Sequence, residues 1–176
     1  MSNDSTSIIM DLIEDDLKLV NSFMISQIKS EVPLIPLLSK YLVNSGGKRI
    51  RAALTILFSK LFGYKYGSRH ISLSACIELI HMASILHDDV VDSSDARRGQ
   101  PSANAIFGNS ASILVGDFVY SRAFQMMVSV GRLDVLKLLA NTTNQISEGE
   151  VWQLKNQHRA DVSEAEYDHV ITRKTA

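Results

Sequence analysis

The apolar run from Ile71 to Leu86 passes into three carboxylates, Asp88, Asp89 and Asp92, arranged as DDxxD, and Arg97 and Arg98 follow within six residues of the last. Crowded carboxylates repel one another and resist desolvation, so a cluster of this kind either stays solvated or holds a hard cation through its oxygens. The arginines favour the cation. Mg²⁺ keeps several waters and takes one or two protein carboxylates together with substrate phosphate oxygens, while guanidinium groups fork onto phosphate. The stretch from about Ser68 to Asp92 therefore reads as a helix that ends at a metal–diphosphate site.

Helical spacing extends over nearly the whole chain. Ile9, Leu12, Ile13, Leu17, Val20, Phe23, Met24 and Ile28 recur at intervals of three and four, which predicts an amphipathic helix over 5–29. Pro33 and Pro36 sit near the start of a short helix over 34–43, which ends around Ser45-Gly46-Gly47. A third helix runs from Lys48 to a stop at Gly63. Gly99, Gln100 and Pro101 break the chain after the carboxylates, a short piece follows over 103–107, and helices are expected over 110–130 and 133–157, separated by Gly131. A last one starts near Ser163, with Glu166 placed for a capping box. No strand of period two, internal repeat or domain-dividing linker is apparent, so the expectation is one all-α domain.

Composition removes several functional classes. The 176 residues are 45 % hydrophobic and 21 % charged, enough for one domain with a real core. A formal net charge of −1 gives no general attraction to nucleic acid or anionic membranes. Cations cluster locally instead, at Lys48, Arg49 and Arg51 and at Arg97 and Arg98. The single Cys76 excludes a disulfide framework and a zinc pattern, and a reducing cytoplasm fits it. The N-terminus lacks the basic region of a signal peptide, and no uninterrupted apolar run reaches the roughly 18 residues of a membrane span.

Spacing sharpens the carboxylate site. Asp88 and Asp92 stand at i and i+4 on one helix face, so one cation fits between their oxygens, with Asp89 pointing elsewhere. His81 lies two turns earlier on roughly the same face. Ser84 and Ala83, four and five residues before Asp88, fall about 6 to 7.5 Å beneath it at the helical rise. A ligand held by its head at the aspartates extends its tail past these small side chains. Blander readings exist for each feature taken singly: a DDxxD as an acidic helix end in water, Gly46-Gly47-Lys48-Arg49 as a turn with solvated charges, His81 and His87 as packed histidines, and Gln145, Glu148, Glu150 and Gln153 as a polar helix face. Glycines with free N–H groups ahead of Lys48 and Arg49 also make a usable anion site.

Taken together, GGKRIR at 46–51, IHMASILHDDVVDSSDARRG at 80–99, LVGDFVYSRAFQMM at 114–127 and ISEGEVWQL at 146–154 resemble the trans-isoprenyl diphosphate synthases. The resemblance spans nearly the whole chain, with four motifs in order. It implies an isoprenoid synthase-type helical bundle around a central cavity, Mg²⁺ as cofactor, a homodimer, and repeated condensation of an allylic diphosphate such as farnesyl diphosphate with isopentenyl diphosphate.

Position by position, the resemblance makes Asp88 and Asp92 the Mg²⁺ ligands. It places Arg97 on the allylic diphosphate, joined by Lys174 and Thr175, and places Lys48, Arg51, His81 and Arg98 on isopentenyl diphosphate. Ala83 and Ser84 stand where bulky aromatics shorten the product in short-chain members, which implies a long product. Ala52 departs from the proline common after GGKRxR, with no charge lost. Members of the family carry a second aspartate-rich motif, and no other DDxxD occurs in these 176 residues. The expectation is the N-terminal part of a synthase domain over 1–176, with half the metal site and little turnover alone. The rival readings are a partner-dependent, non-catalytic prenyl diphosphate-binding subunit and, from the His87-Asp88 dipeptide, an HD-type metal phosphohydrolase, which leaves GGKR and Arg97-Arg98 unexplained. Terpene cyclases share DDxxD, but signals for a second diphosphate argue for chain elongation.

Overall fold

Ten of the residues in α4 (Arg69–Val91) are buried, and they fall on every side of the helix: Ile71, Ala75, Leu79 and Leu86 among the apolar ones, with Ser74, Glu78 and Asp89 among the polar. A helix buried all round has to be surrounded, and α4 packs against α1 (Ser5–Gln27), α3 (Ile50–Leu61), α5 (Ala103–Phe107) and α6 (Asn109–Ser129). The computed structural model describes residues 5–175. Their packing forms two units, Met1–Val130 and Gly131–Ala176, which meet in sequence at the glycine that separates the two long helices.

In the first unit α1 turns Ile13, Val20, Met24 and Ile28 fully inward, whereas Ile9 and Leu12 of the same expected stripe remain 46 % and 61 % exposed. Burying a side chain such as Leu79 or Leu86 contributes about 2 kcal/mol each. α6 faces α4 with Val115, Gly116, Val119, Ala123 and Met126, whose spacing of three and four matches the sequence expectation. Cys76 lies between them, its thiol donating to Ala123 O at 3.4 Å, and burial pushes that thiol up to about 12. α4 is also long and apolar enough to cross a membrane by length and composition, although Glu78 and His81 interrupt its apolar run. Half of that stretch is buried inside the bundle, as befits a core helix.

Helix ends follow the local chemistry closely. After α3, Gly63 at φ +75° donates to Lys60 O and Tyr64 donates to Ser59 O, the paired bonds of a Schellman motif. α2 (Leu34–Asn44) ends one residue later than expected, and α3 begins at Ile50 rather than Lys48. The delay has a cause in Arg49, which adopts φ 48°, outside helical geometry.

After α4 the chain forms a two-residue antiparallel ladder, β1 (Ala96–Arg97) with β2 (Gln100–Pro101), in a stretch where the sequence suggested only a break. Arg98 at φ 53° and Gly99 at φ 76° make the turn, the two left-handed residues that a tight hairpin demands. The hairpin is held from outside: Tyr41 Oη donates to Pro101 O at 2.6 Å, Ser102 Oγ donates to Ser94 O at 2.6 Å, and Asn104 Nδ2 donates to Asp89 O at 3.2 Å.

The second unit is a pair of packed helices, α7 (Leu133–Asn156) and α8 (Glu164–Thr175). The expected capping box is present: Ser163 N–H donates to Glu166 Oε2 at 3.0 Å, and Glu166 N–H donates to Ser163 Oγ at 3.3 Å. Gly149 lets the helices approach, because a Cβ there would lie 3.0 Å from both Arg173 Cβ and Lys174 N.

Candidate functional site

A cavity of about 420 Å³ opens where three separated pieces of sequence meet: the glycine turn before α3, the middle of α4 and the arginine hairpin. Lys48, Arg49, Arg51, His81, Arg97 and Arg98 all line it. Five cations around one space repel one another unless anions answer them, and two buried carboxylates do so.

The first is Glu78, 4 % exposed, which accepts the Ala52 N–H at 3.1 Å and stands 3.4 Å from Arg49 Nη1. Arg49 also donates to Asn21 Oδ1 at 3.2 Å and to Val43 O at 3.1 Å. α3 has no side-chain cap of its own, so Glu78 from α4 satisfies one of its free N–H groups. The effect is to fix the glycine turn with Arg49 facing inward. Sequence reasoning assigned Glu78 no role; a lone acid inside an apolar helix was the available signal.

The second is Asp89, whose carboxylate is 1 % exposed and accepts Arg97 Nη2 at 2.7 Å and Arg97 Nε at 3.0 Å. Asp89 raises the Arg97 guanidinium above its ordinary range, with Asp88 and Asp92 adding to the effect. Arg97 is 38 % exposed, so it keeps donor capacity beyond this pair. Lys48, Arg51 and Arg98 are exposed. Arg98 reaches across to the glycine turn and donates from Nη1 to Gly46 O, packed where a Cβ on Gly47 would intrude. His81 is pushed down to about 4 by burial first, then by Arg51, Arg97, Arg98 and Arg49, so its imidazole is neutral at ordinary pH.

Asp88 and Asp92 stand one turn apart, with the Asp92 N–H donating to Asp88 O at 2.8 Å. They lie at the end of α4 rather than among the cavity's lining residues. Among the described residues no three His, Cys, Asp or Glu side chains converge on a point. Two hard carboxylates beside a cationic cavity nonetheless fit a cation that keeps its waters and takes ligand phosphate oxygens. Ala83 is fully buried, and Ser84 donates its hydroxyl to His81 O at 2.9 Å; the cavity's wall on α4 is instead His81, Met82, Ile85 and Asp89.

In the second unit Lys174 Nζ bonds Glu150 Oε2 at 2.9 Å and Gln153 Oε1 at 2.8 Å. Two residues of the supposed plain polar face thus hold a residue that the sequence marked as functional. The Thr175 side chain lies outside the described residues.

The polyprenyl synthetase family model matches residues 32–176. The chain is 50 % identical over 168 residues to octaprenyl diphosphate synthase of Escherichia coli (strain K12), covering 96 % of this chain and 52 % of that protein. It is 34 % identical over 164 residues to heptaprenyl diphosphate synthase component 2 of Geobacillus stearothermophilus, covering 93 % of this chain and 51 % of that one. The fold matches the crystal structure of a polyprenyl synthase from Caulobacter crescentus CB15 complexed with calcium and isoprenyl diphosphate, with a TM-score of 0.92, 38 % identity, and coverage of 99 % and 53 %. The chain spans about half the length of the curated relatives it matches.

Proposed function

The chain belongs to the polyprenyl synthetase family, and on that footing we propose that it binds two prenyl diphosphates and serves the condensation of an allylic diphosphate, such as farnesyl diphosphate, with isopentenyl diphosphate into a long trans-polyprenyl diphosphate. The division of charge in the cavity carries this reading. Glu78 and Asp89 engage Arg49 and Arg97, while Lys48, Arg51 and Arg98 stay exposed around a neutral His81. Three uncommitted cations suit one diphosphate, and His81 adds a hydrogen-bonding group without adding charge.

In the condensation the allylic C–O bond breaks and its electron pair departs with diphosphate. The isopentenyl double bond then attacks the allylic cation, and the proton lost on forming the new double bond goes to the released diphosphate. Lys48, Arg51, His81 and Arg98 hold the isopentenyl diphosphate, and Arg97, oriented by Asp89, addresses the allylic one, with Lys174 and Thr175 assigned to it as well. Asp88 and Asp92 would hold Mg²⁺, which when bound neutralises charge on the departing diphosphate. Met82 and Ile85 on the α4 wall keep part of the cavity apolar. Ala83 and Ser84 retain their assignment as chain-length positions. A homodimer is supported by exposed apolar residues on α6, Leu114 at 68 % and Val128 at 64 %.

These 176 residues hold one aspartate-rich motif, and we expect them to bind diphosphates and turn over little by themselves. The test is incubation of the purified chain with Mg²⁺, labelled isopentenyl diphosphate and farnesyl diphosphate, with sizing of extracted products and parallel binding measurements. Binding lost in Asp88→Ala without product supports a half-site; long-chain product overturns that part of the reading; no diphosphate binding overturns all of it. A partner-dependent subunit is the second reading, favoured by the similarity to a protein named as component 2 of its synthase. Product formed only after adding a partner chain would select it.

A further inference from the structure

The LVGDFVYSR stretch of α6 has no part in the reading above, yet it meets α4 immediately before the carboxylates. Gly116 is buried, and a Cβ there would lie 2.4 Å from His87 Nε2 and 2.8 Å from His87 Cδ2. The imidazole therefore occupies the space that any side chain at 116 would need. The same Nε2 stands 3.3 Å from Ile113 O and 3.3 Å from Asp117 Oδ1. Residues 113, 116 and 117 form one face of a single helical turn, so the ring lies across the α6 backbone. A carbonyl and a carboxylate at these distances can only accept, so Nε2 carries the proton and shares it between them.

We propose that His87, seated on Gly116 and Asp117, is a positioning residue that fixes the last turn of α4 and thereby the direction in which Asp88 and Asp92 present oxygens to a divalent cation. Terminal turns fray, and Asp92 is already the C-cap residue of α4. A cation shared by carboxylates at i and i+4 tolerates little rotation of that turn. Two side chains restrain it: Asp89 reaches Arg97 in the hairpin and His87 reaches α6. Glycine at 116 is what permits the second restraint. The inference rests on the reading of Asp88 and Asp92 as cation ligands.

The experiment measures inorganic diphosphate binding to the full 176-residue chain by calorimetry, in Mg²⁺ and in EDTA, and takes the ratio as the metal-dependent gain. His87→Ala should lower that gain roughly tenfold, as loss of an outer-sphere partner does, with affinity in EDTA and the unfolding midpoint little changed. His87→Gln, which keeps an N–H near the Nε2 position, should restore most of it. Gly116→Ala should resemble His87→Ala, and the double variant should fall no lower than either single one. Asp117→Ala, at an exposed position, should move the gain in the same direction and guards against misfolding of the Gly116 variant. A gain present in the parent and abolished in Asp88→Ala, but intact in His87→Ala and Asp117→Ala, overturns the positioning role alone. No gain in the parent overturns the cation reading and this inference with it.

Discussion

Arg97 turns back from the hairpin to Asp89 and places Nη2 2.7 Å and Nε 3.0 Å from one oxygen of a carboxylate that is 1 % exposed. The middle aspartate of the DDxxD cluster thus faces inward as an anchor for an arginine, while Asp88 and Asp92 stand on the neighbouring turn. Asp89→Ala should destabilise the chain by about 2 kcal/mol, below the full cost of breaking a buried pair because water reaches part of Arg97. Urea denaturation measures this, and a loss under about 0.5 kcal/mol would mean that the pair is not an anchor.

Glu78 carries two obligations at once, the Ala52 N–H and the Arg49 guanidinium. Glu78→Ala leaves both buried and unmet, for an expected loss of about 2–4 kcal/mol. Glu78→Gln keeps an acceptor for Ala52 and should lose less. The ordering of the two variants by chemical denaturation is the check; equal losses would remove the helix-capping role.

His81 makes stability depend on pH with a definite sign. Its folded value of about 4 lies below the ordinary 6.5, so as pH falls from 6.5 toward 4 the unfolded chain takes a proton that the folded chain refuses. The contribution is therefore complete above the unfolded value and is lost as the solution is acidified. His81→Gln should show a shallower fall in stability between about pH 7 and about pH 5 than the parent. Parallel slopes in urea titrations would show that burial and the four arginines do not depress this histidine.

Much of this was legible in the sequence because helices announce themselves locally. The three-and-four spacing placed α4 and α6, Gly63 closed α3, and Ser163 with Glu166 opened α8. The cation set was legible too, since Lys48, Arg51, His81, Arg97 and Arg98 converge on one cavity as the motifs implied. What stayed hidden were the partners that cross between elements. Nothing near Arg49 in sequence shows that it points inward to Glu78, nor does an apolar period show that Gly116 makes room for His87. The two-residue ladder was missed because Arg98 takes the left-handed position usually left to Asn or Gly. Ala83 and Ser84 were placed by rise along the helix alone, and rise does not say which side of a buried helix a cavity occupies.

Lys48 and Arg49 are neighbours in sequence with opposite assignments, and that contrast gives the sharpest test of the cavity. Lys48 is exposed, whereas the Arg49 side chain is 18 % exposed and committed to Glu78, Asn21 and Val43 O. Lys48→Ala should weaken diphosphate binding by about 1.5–3 kcal/mol, the worth of a charge-assisted hydrogen bond, and leave the unfolding midpoint unchanged. Arg49→Ala should do the reverse in order of severity, lowering stability first because it strands a buried carboxylate, with binding lost only as the glycine turn loosens. Calorimetric titration and thermal unfolding on the same two variants separate the effects. If both residues lower affinity equally at unchanged stability, Arg49 is a ligand group and the division between anchored and open cations is wrong.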